Sequence, residues 1–501
     1  MKQLSGLDAT FLTMETDSQF GHVSSVSIYE KPSEDFEPFP AWRAAIEKRL
    51  HLLEPLRRRL VEVPLHVDHP FWVEDPDFDL DYHVRHTALP PPGGDAQMSK
   101  LVARLIGRPL DRKRPLWESY VVEGLADNRF AIFTKVHHAT VDGASGAELL
   151  TLMLDQTAEG DDIAPPTEEW KPERVPSDAE VFSRAAANLV RKPGRLALLS
   201  ARTAREVGKA TSNPVLVAAA NQWRDSLRGP VGTLMNIGRV RDEERDPPPP
   251  LPTGRAPRTP WNKTITAHRN FSFQSTSLDA VKAIKNAMGA TVNDVVMGAC
   301  TGGIRAYLEE KGELPAEPLV AMVPVSIRTG EETEKWTNRV SGLLASLPTD
   351  EPDIGERVRK VHEAMVASKD MFNAIPAEML TDFTQFPSPA TFARATRMAT
   401  RFRLGDRLAP PVNLVISNVP GPRTPLYSTG AKLLHYYPVS TITDGQGLNI
   451  TVQSYLDTLD WGLVACRELV PDLDHLLDLI VCEMEEMAKL TNIDVPVRTA
   501  S

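Results

Sequence analysis

The sequence predicts a mixed α/β fold spread over more than one domain, and three observations carry that expectation. The chain has 501 residues, too many for one ordinary core, so at about 100 to 200 residues per domain roughly two to four domains are expected. Strand-like and helix-like segments alternate in both halves, on either side of a proline-rich middle. Several strand-like runs, among them Leu319 to Ile327 and Ile450 to Tyr455, are nearly all apolar, as strands buried on both faces are.

In the first third, Gly21 to Tyr29 alternates as a strand. Trp42, Ile46, Leu50 and Leu53 then recur at the spacing of one helix face. Met98 to Ile106 is a second helical pattern, ended by Gly107. Pro115-Leu116-Trp117 leads into a strand at Ser119 to Leu125, expected to pair with the one that follows. That next strand, Phe130 to His138, runs straight into a tight turn. Its period of two puts Phe130, Ile132, Thr134, Val136 and His138 on one face and Ala131, Phe133, Lys135 and His137 on the other. After the turn, Leu149, Leu150, Met153 and Leu154 recur at helical spacing, with Ser145 and Glu148 as a capping-box pair.

From about Asp155 to Arg258 the texture changes. Pro165-Pro166, Pro247 to Pro250 and Pro252 interrupt it, as in a crossover between domains. Within it, Phe182 to Val207 is helical in composition and carries Arg184, Arg191, Lys192, Arg195, Arg202 and Arg205 against Glu206 alone. Two readings stay open, a solvated helical hairpin packed on the domains or a docking surface for anionic lipid.

The last part repeats the mixed pattern. His268 to Phe273 reads as a strand, and Ser277 caps a helix, Leu278 to Met288, that Gly289 ends. Thr291 opens the next helix. Strands are expected at Leu319 to Ile327, Gly342 to Leu347, Val412 to Ile416, Ile450 to Tyr455 and Trp461 to Cys466, before a closing helix through Leu473, Leu476, Leu477, Ile480 and Val481.

Composition removes whole classes of function. Hydrophobic residues make up 42% of the chain, and Lys+Arg 56 against Asp+Glu 67 gives a formal charge of -11. No basic excess exists to displace phosphate counterions, so general nucleic-acid binding is not expected. Cys300, Cys466 and Cys482 lack metal or redox spacing, which points to a reduced, cytoplasmic setting. The N-terminal MKQLSGLDATFLTME does not read as a signal peptide, and no window approaches the ~18 apolar residues of a membrane span, so membrane contact is expected to be peripheral.

The chemistry is expected at the central turn. A histidine at a strand end is mostly free base near neutral pH, given a reference pKa of about 6.5, and can take a proton from an alcohol. Asp142 would support it either by bonding the ring or by anchoring the turn through an arginine elsewhere. Against this stands a core His138 with Asp142 merely capping a helix. No metal site is expected, because neighbouring strand residues cannot both ligate one ion and neither HExxH nor a cysteine pair supplies the rest.

His137-His138-Ala139-Thr140-Val141-Asp142-Gly143 resembles the HHxxxDG signature of the bacterial wax ester synthase/diacylglycerol acyltransferase family. Further stretches match in order: Leu4 to Glu15, Pro115-Leu116-Trp117, Asn293 to Val296, Val323 to Arg328, Ser417 to Pro422 and Leu448 to Tyr455. The chain departs from the family at Cys466, where an acidic residue is usual.

The resemblance implies two chloramphenicol-acetyltransferase-like α/β lobes with a central channel, joined by a helical crossover. The lobes would be residues 1–155 and 259–501, with the crossover at 156–258. It implies an acyltransferase that takes acyl-CoA as co-substrate, with no other cofactor. The acceptor would be diacylglycerol or a long-chain alcohol, met at the inner membrane or a lipid droplet. His138 would be the general base, with Asp142 and Gly143 completing the catalytic turn and His137, on the opposite strand face, structural rather than a second base. Arg328 would pair with Asp142 across the lobes, the alternative being a surface arginine. Asn293 would donate a hydrogen bond to the thioester oxyanion or the acceptor, the alternative being an ordinary first-turn residue whose cap Thr291 and Asp294 share. Ser417, Asn418 and Gly421 would lie on a channel-shaping loop where the chain crosses between lobes. A condensation-type acyltransferase using carrier-protein thioesters or polar alcohols is the alternative function, and a non-catalytic droplet coat a third.

Overall fold

A computed structural model of the chain describes residues 1–64, 68–140, 152–167, 170, 172–185, 187, 256–326, 340–374, 398 and 400–499. Two six-stranded sheets organise it. The first runs, edge to edge, through Tyr427–Ser428, Ala431–Val439, His22–Glu30, Arg129–His137, Trp117–Glu123 and Val84–Ala88, and the second through Val340–Leu347, Leu319–Ser326, Leu414–Val419, Leu448–Tyr455, Thr458–Cys466 and Arg269–Ser277. In the first lobe the strands are β1 Lys2–Gln3, β2 His22–Glu30, β3 Arg58–Val61, β4 Phe71–Glu74, β5 Val84–Ala88, β6 Trp117–Glu123 and β7 Arg129–His137. Its main helices are α1 Gly6–Thr13, α2 Pro38–Arg49 and α3 Asp95–Ile106. The small strands β1, β4 and β3 form a separate three-stranded sheet.

The second lobe carries β8 Arg269–Ser277, β9 Leu319–Ser326, β10 Val340–Leu347, β11 Leu414–Val419, β12 Tyr427–Ser428, β13 Ala431–Val439, β14 Leu448–Tyr455 and β15 Thr458–Cys466. Its helices are α4 Leu278–Met288, α5 Val292–Glu310, α6 Ile354–Ala374 and α7 Leu473–Leu490. Residues of all four pack with the sheet into one large core, which includes Ile284, Ile304, Val361 and Ile480.

Local signals set several ends where they were expected. Ser277 accepts the Ala280 N–H at 3.2 Å, and Gly289 ends α4 in the left-handed region at φ 65°. Thr291 and Asp294 form a reciprocal capping box at α5. The alternation along β7 also holds. Phe130, Ile132 and Val136 enter one core with α2, whereas Ala131 and Phe133 enter another with α3.

That second core joins the lobes. Met98, Leu101, Val102 and Leu105 of α3 pack in it beside Phe271 of β8 and Val464 of β15. The lobes also exchange chain. After β11 the chain leaves the second sheet, and β13 pairs antiparallel with β2 of the first, Tyr437 opposite Val26, before β14 returns to the second. Buried Asp460 of β15 fastens this strand, accepting the Ser275 hydroxyl at 2.6 Å and the Tyr436 N–H at 2.7 Å. Among the crossover residues, Val181 and Ala185 pack on Val63 and Phe71. The basic residues from Arg191 to Arg205 lie outside the described residues, as does the helix expected after the turn up to Thr151.

Candidate active site

The paired histidines sit at the end of β7, and the structure makes them unlike. His137 is 1% exposed and has both ring nitrogens committed. Its Nδ1 accepts the Ala139 N–H at 3.0 Å, so that nitrogen carries no proton and Nε2–H donates to Glu15 Oε1 at 3.2 Å. His137 therefore pins the turn that follows it. His138 is partly exposed, and its ring lies flat on Phe11 with centroids 4.1 Å apart and planes 9° from parallel. Its backbone N–H donates to Gly21 O at 2.8 Å.

Glu15 is the hub of this arrangement. One oxygen takes His137 and the Gly21 N–H at 2.8 Å, and the other takes Arg112 Nε and Nη2 at 3.1 and 2.7 Å. Burial alone would raise its pKa, but the bonds from His137, Arg112 and Gly21 outweigh that and bring it down to about 2. Gly21 has no room for a side chain, since a Cβ there would lie 2.8 Å from both His137 Nε2 and Phe11 O. The segment from α1 to β2 thus forms a bed against which both histidines rest.

The His137 face of the strand end is also tied to α3. His22, opposite His137 in the ladder, bonds Ile106 O at 3.0 Å, and buried Lys135 donates to Leu105 O and Arg108 O, each at 3.2 Å. The Leu105 and Ile106 carbonyls end the helix and need such partners. Burial, with Lys135 and His137 near, pushes His22 down to about 3, so it stays neutral. Lys135 is also lowered by burial, although Glu118 lies 3.3 Å away.

Asp142, Gly143 and Arg328 lie outside the described residues, so the expected tie between Asp142 and Arg328 does too. Asn293 is the second residue of α5 and half-buried, and among the described residues its side chain has no hydrogen-bond partner. Asp294 is 2% exposed and committed to the cap and to His362 Nδ1 at 2.8 Å. Ser417 and Asn418 were expected on a loop. They belong instead to β11, paired in parallel with Thr451 and Val452 of β14. Gly421 follows the strand, and its N–H donates to Ser454 Oγ at 3.1 Å. Its backbone lies so close to β14 that a Cβ would meet Ser454 O at 1.9 Å. These residues begin the crossing to β13. Cys466 at the family departure is buried and donates from Sγ to Glu468 at 3.4 Å, so a carboxylate stands two residues on.

Phe11, Glu15, Gly21 and Arg112 had no role assigned from sequence. Phe11 and Glu15 fall within Leu4 to Glu15, a stretch that matched the family, and that match was the available signal. Two clefts open at the lobe seam, of about 500 and 860 Å³, and His138 lines neither. No helix among the described residues is long and apolar enough to cross a membrane.

Comparison with known proteins bears on what such a turn does. Residues 4–296 match the wax ester synthase/diacylglycerol acyltransferase catalytic domain, and residues 336–488 the WS/DGAT C-terminal domain. The Mycobacterium tuberculosis protein named "Probable diacyglycerol O-acyltransferase tgs2" is 35% identical over 491 residues, 97% of this chain and 98% of its own. The O-acyltransferase WSD of Acinetobacter baylyi is 32% identical, over 95% of each chain. Among solved structures, the wax ester synthase/diacylglycerol acyltransferase of Marinobacter aquaeolei VT8 superposes with a TM-score of 0.67 at 30% identity, covering 98% of this chain and 100% of that one. The first condensation domain of the CDA synthetase shares the fold, with a TM-score of 0.54 at 18% identity over 99% of this chain and 98% of that one.

Proposed function

The chain belongs to the wax ester synthase/diacylglycerol acyltransferase family, and from that premise we propose that it esterifies diacylglycerol or a long-chain alcohol with the acyl group of acyl-CoA, using His138 as general base. It is an acyltransferase of the diacylglycerol acyltransferase and wax synthase type. The observation that carries the finer reading is the inequality of the two histidines. His137 is buried and spent on Glu15 and Ala139, whereas His138 is the partly exposed imidazole of the motif, stacked on Phe11, which supports His138 as the group that transfers the proton.

In this mechanism the acceptor hydroxyl and the thioester meet beside His138 in a channel between the lobes. A ring nitrogen takes the hydroxyl proton as the oxygen attacks the thioester carbonyl. The tetrahedral intermediate collapses by breaking the carbon–sulfur bond, and the thiolate leaves as CoA after receiving that proton. Transfer is direct, with no acyl-enzyme, and acyl-CoA is a co-substrate. Stacking on Phe11 and the bond from its backbone to Gly21 fix the base before substrate arrives, the kind of orientation that lowers the barrier to proton transfer. Asn293 is the candidate donor to the oxyanion, a contact worth about 3 kcal/mol where it forms. Asp142 paired with Arg328 would hold the turn from the opposite lobe.

The apolar acceptor is met at a membrane or lipid-droplet surface, and the basic run from Arg191 to Arg202 supplies the charge for docking there. Replacing Arg191, Lys192, Arg195 and Arg202 together with glutamine should weaken binding to anionic liposomes, and unchanged partitioning would overturn that part.

The test of the reaction is a donor and acceptor panel with purified protein. Acyl-CoA with diacylglycerol or hexadecanol should give triacylglycerol or wax ester, identified by mass spectrometry. Turnover of acyl carrier protein thioesters with no use of acyl-CoA would favour the condensation-type reading instead.

A further inference from the structure

The larger seam cleft, about 860 Å³, has a charge unlike the rest of the molecule. The chain as a whole is acidic, at a formal charge of -11. Yet among the described residues no aspartate or glutamate lines this cleft, while Lys100, Arg104, Arg108, His268, Arg269 and Arg467 do. One wall is a stripe. Lys100 and Arg104 are four residues apart on α3 and therefore share a helix face, which the turn after the helix extends to Arg108. All three are exposed, and among the described residues none has a carboxylate partner. Like charges at this spacing cost helix stability. The helix dipole favours cations at a C-terminus and so accounts for Arg104 and Arg108, but it gives no reason for a second basic wall facing them.

That second wall comes from the other lobe. Arg269 is 6% exposed and hydrogen-bonded to carbonyls, among them Ser18 O at 2.6 Å and Thr266 O, with Glu468 and Asp444 near enough to offset its charge in part. Glu468 stands behind the wall, held by His268 at 2.6 Å and Thr266 at 2.6 Å and 3.7 Å from Arg467, and compensates His268 and Arg467 in part. Two basic surfaces from different lobes thus face each other across solvent, a geometry that concentrates polyanions.

The cleft is also joined to the histidine turn. The carbonyls at the end of α3 hold His22 and Lys135, and Arg269 holds Ser18 O in the segment that continues to Gly21. We propose that this cleft is the docking site for the phosphates of the thioester donor, the pyrophosphate and the ribose phosphate of acyl-CoA. This rests on the acyl-CoA reading above. Lys100, Arg104 and Arg108 pair with phosphate oxygens from one side, Arg269 and Arg467 supply potential from the other, and the pantetheine arm leads from the seam toward His138.

The experiment compares the wild-type protein with a triple variant, Lys100→Gln, Arg104→Gln and Arg108→Gln, at surface positions whose loss leaves the core intact. The variant should raise KM for acyl-CoA by about tenfold or more at unchanged kcat, as expected for lost charge-assisted contacts to phosphate. Turnover of an acyl N-acetylcysteamine thioester, which lacks the nucleotide, should be the same in both proteins. By calorimetry CoA should bind the wild type more tightly than 3′-dephospho-CoA does, and the variant should lose that difference. An unchanged acyl-CoA KM, or equal losses with both donors, would overturn the assignment. So would a variant that loses phosphatidylglycerol vesicle binding while keeping CoA affinity, which would make the cleft a lipid-headgroup site. Wild-type protein that binds CoA through this stripe but turns over only carrier-protein thioesters would leave the cleft standing and overturn the reaction instead.

Discussion

Glu15 accepts the Nε2–H of His137 at 3.2 Å, from a position 122 residues earlier in the chain. That bond makes the first histidine of the motif a strut. It joins the end of β7 to the segment after α1, and through Ala139 it fixes the turn on which His138 stands.

Glu15→Gln tests the strut. The amide keeps one acceptor but loses the charge that Arg112 and His137 bind. A buried network broken this way costs about 1–3 kcal/mol, and a misplaced base lowers kcat by about 10- to 100-fold. Thermal melts and initial rates read the two effects.

The same residue sets a pH dependence. Its folded pKa is depressed, from 4.5 to about 2, so the stability it contributes is present above about 4.5 and is lost as pH falls from there toward 2. A shift of this size corresponds to about 3 kcal/mol at most. Denaturant melts of the wild type should therefore lose about 2 kcal/mol more between pH 5 and pH 3 than those of Glu15→Gln. Parallel slopes would contradict the role assigned to Glu15.

Phe11→Ala removes the face on which the His138 ring rests, 4.1 Å away. A stacked aromatic pair contributes about 0.5–1.5 kcal/mol, so kcat should drop by about two- to twelvefold if that contact orients the base. Phe11→Tyr keeps the ring and should keep the rate, which separates stacking from mere volume.

Gly421→Ala addresses the crossing between the lobes. Its Cβ would press on the Ser454 carbonyl at 1.9 Å, and backbone there cannot move without breaking the pairing of β11 with β14. Overpacking of this kind costs about 1–3 kcal/mol, measurable as a lowered melting temperature, with activity lost alongside the fold.

Much of the fold was legible because its signals are local. Alternation along β7, the Ser277 and Thr291 caps and the left-handed Gly289 each depend on residues within a few positions of one another. The exchanged strand was not legible. β13, with His435, Tyr436 and Pro438 in its middle, lacks a clean period of two, and its partner β2 lies about 400 residues earlier, in the other lobe. Ser417 and Asn418 read as loop because both are polar, yet parallel pairing with β14 carries the strand through them. In the site, the motif and the alternation along the strand announced His138 as the base and a structural His137, but not the partners that impose that division. That division depends on Glu15 and Gly21, brought to the turn by β2 pairing with β7, which the spacing of the motif does not encode.

The central claim is that His138 moves the proton, and His138→Ala tests it most directly. With acyl-CoA and diacylglycerol or hexadecanol as substrates, the variant should keep the wild-type melting temperature while kcat falls by about 10²- to 10⁴-fold, the usual contribution of a general base. A folded His138→Ala protein that makes ester at a rate near wild type would contradict the account.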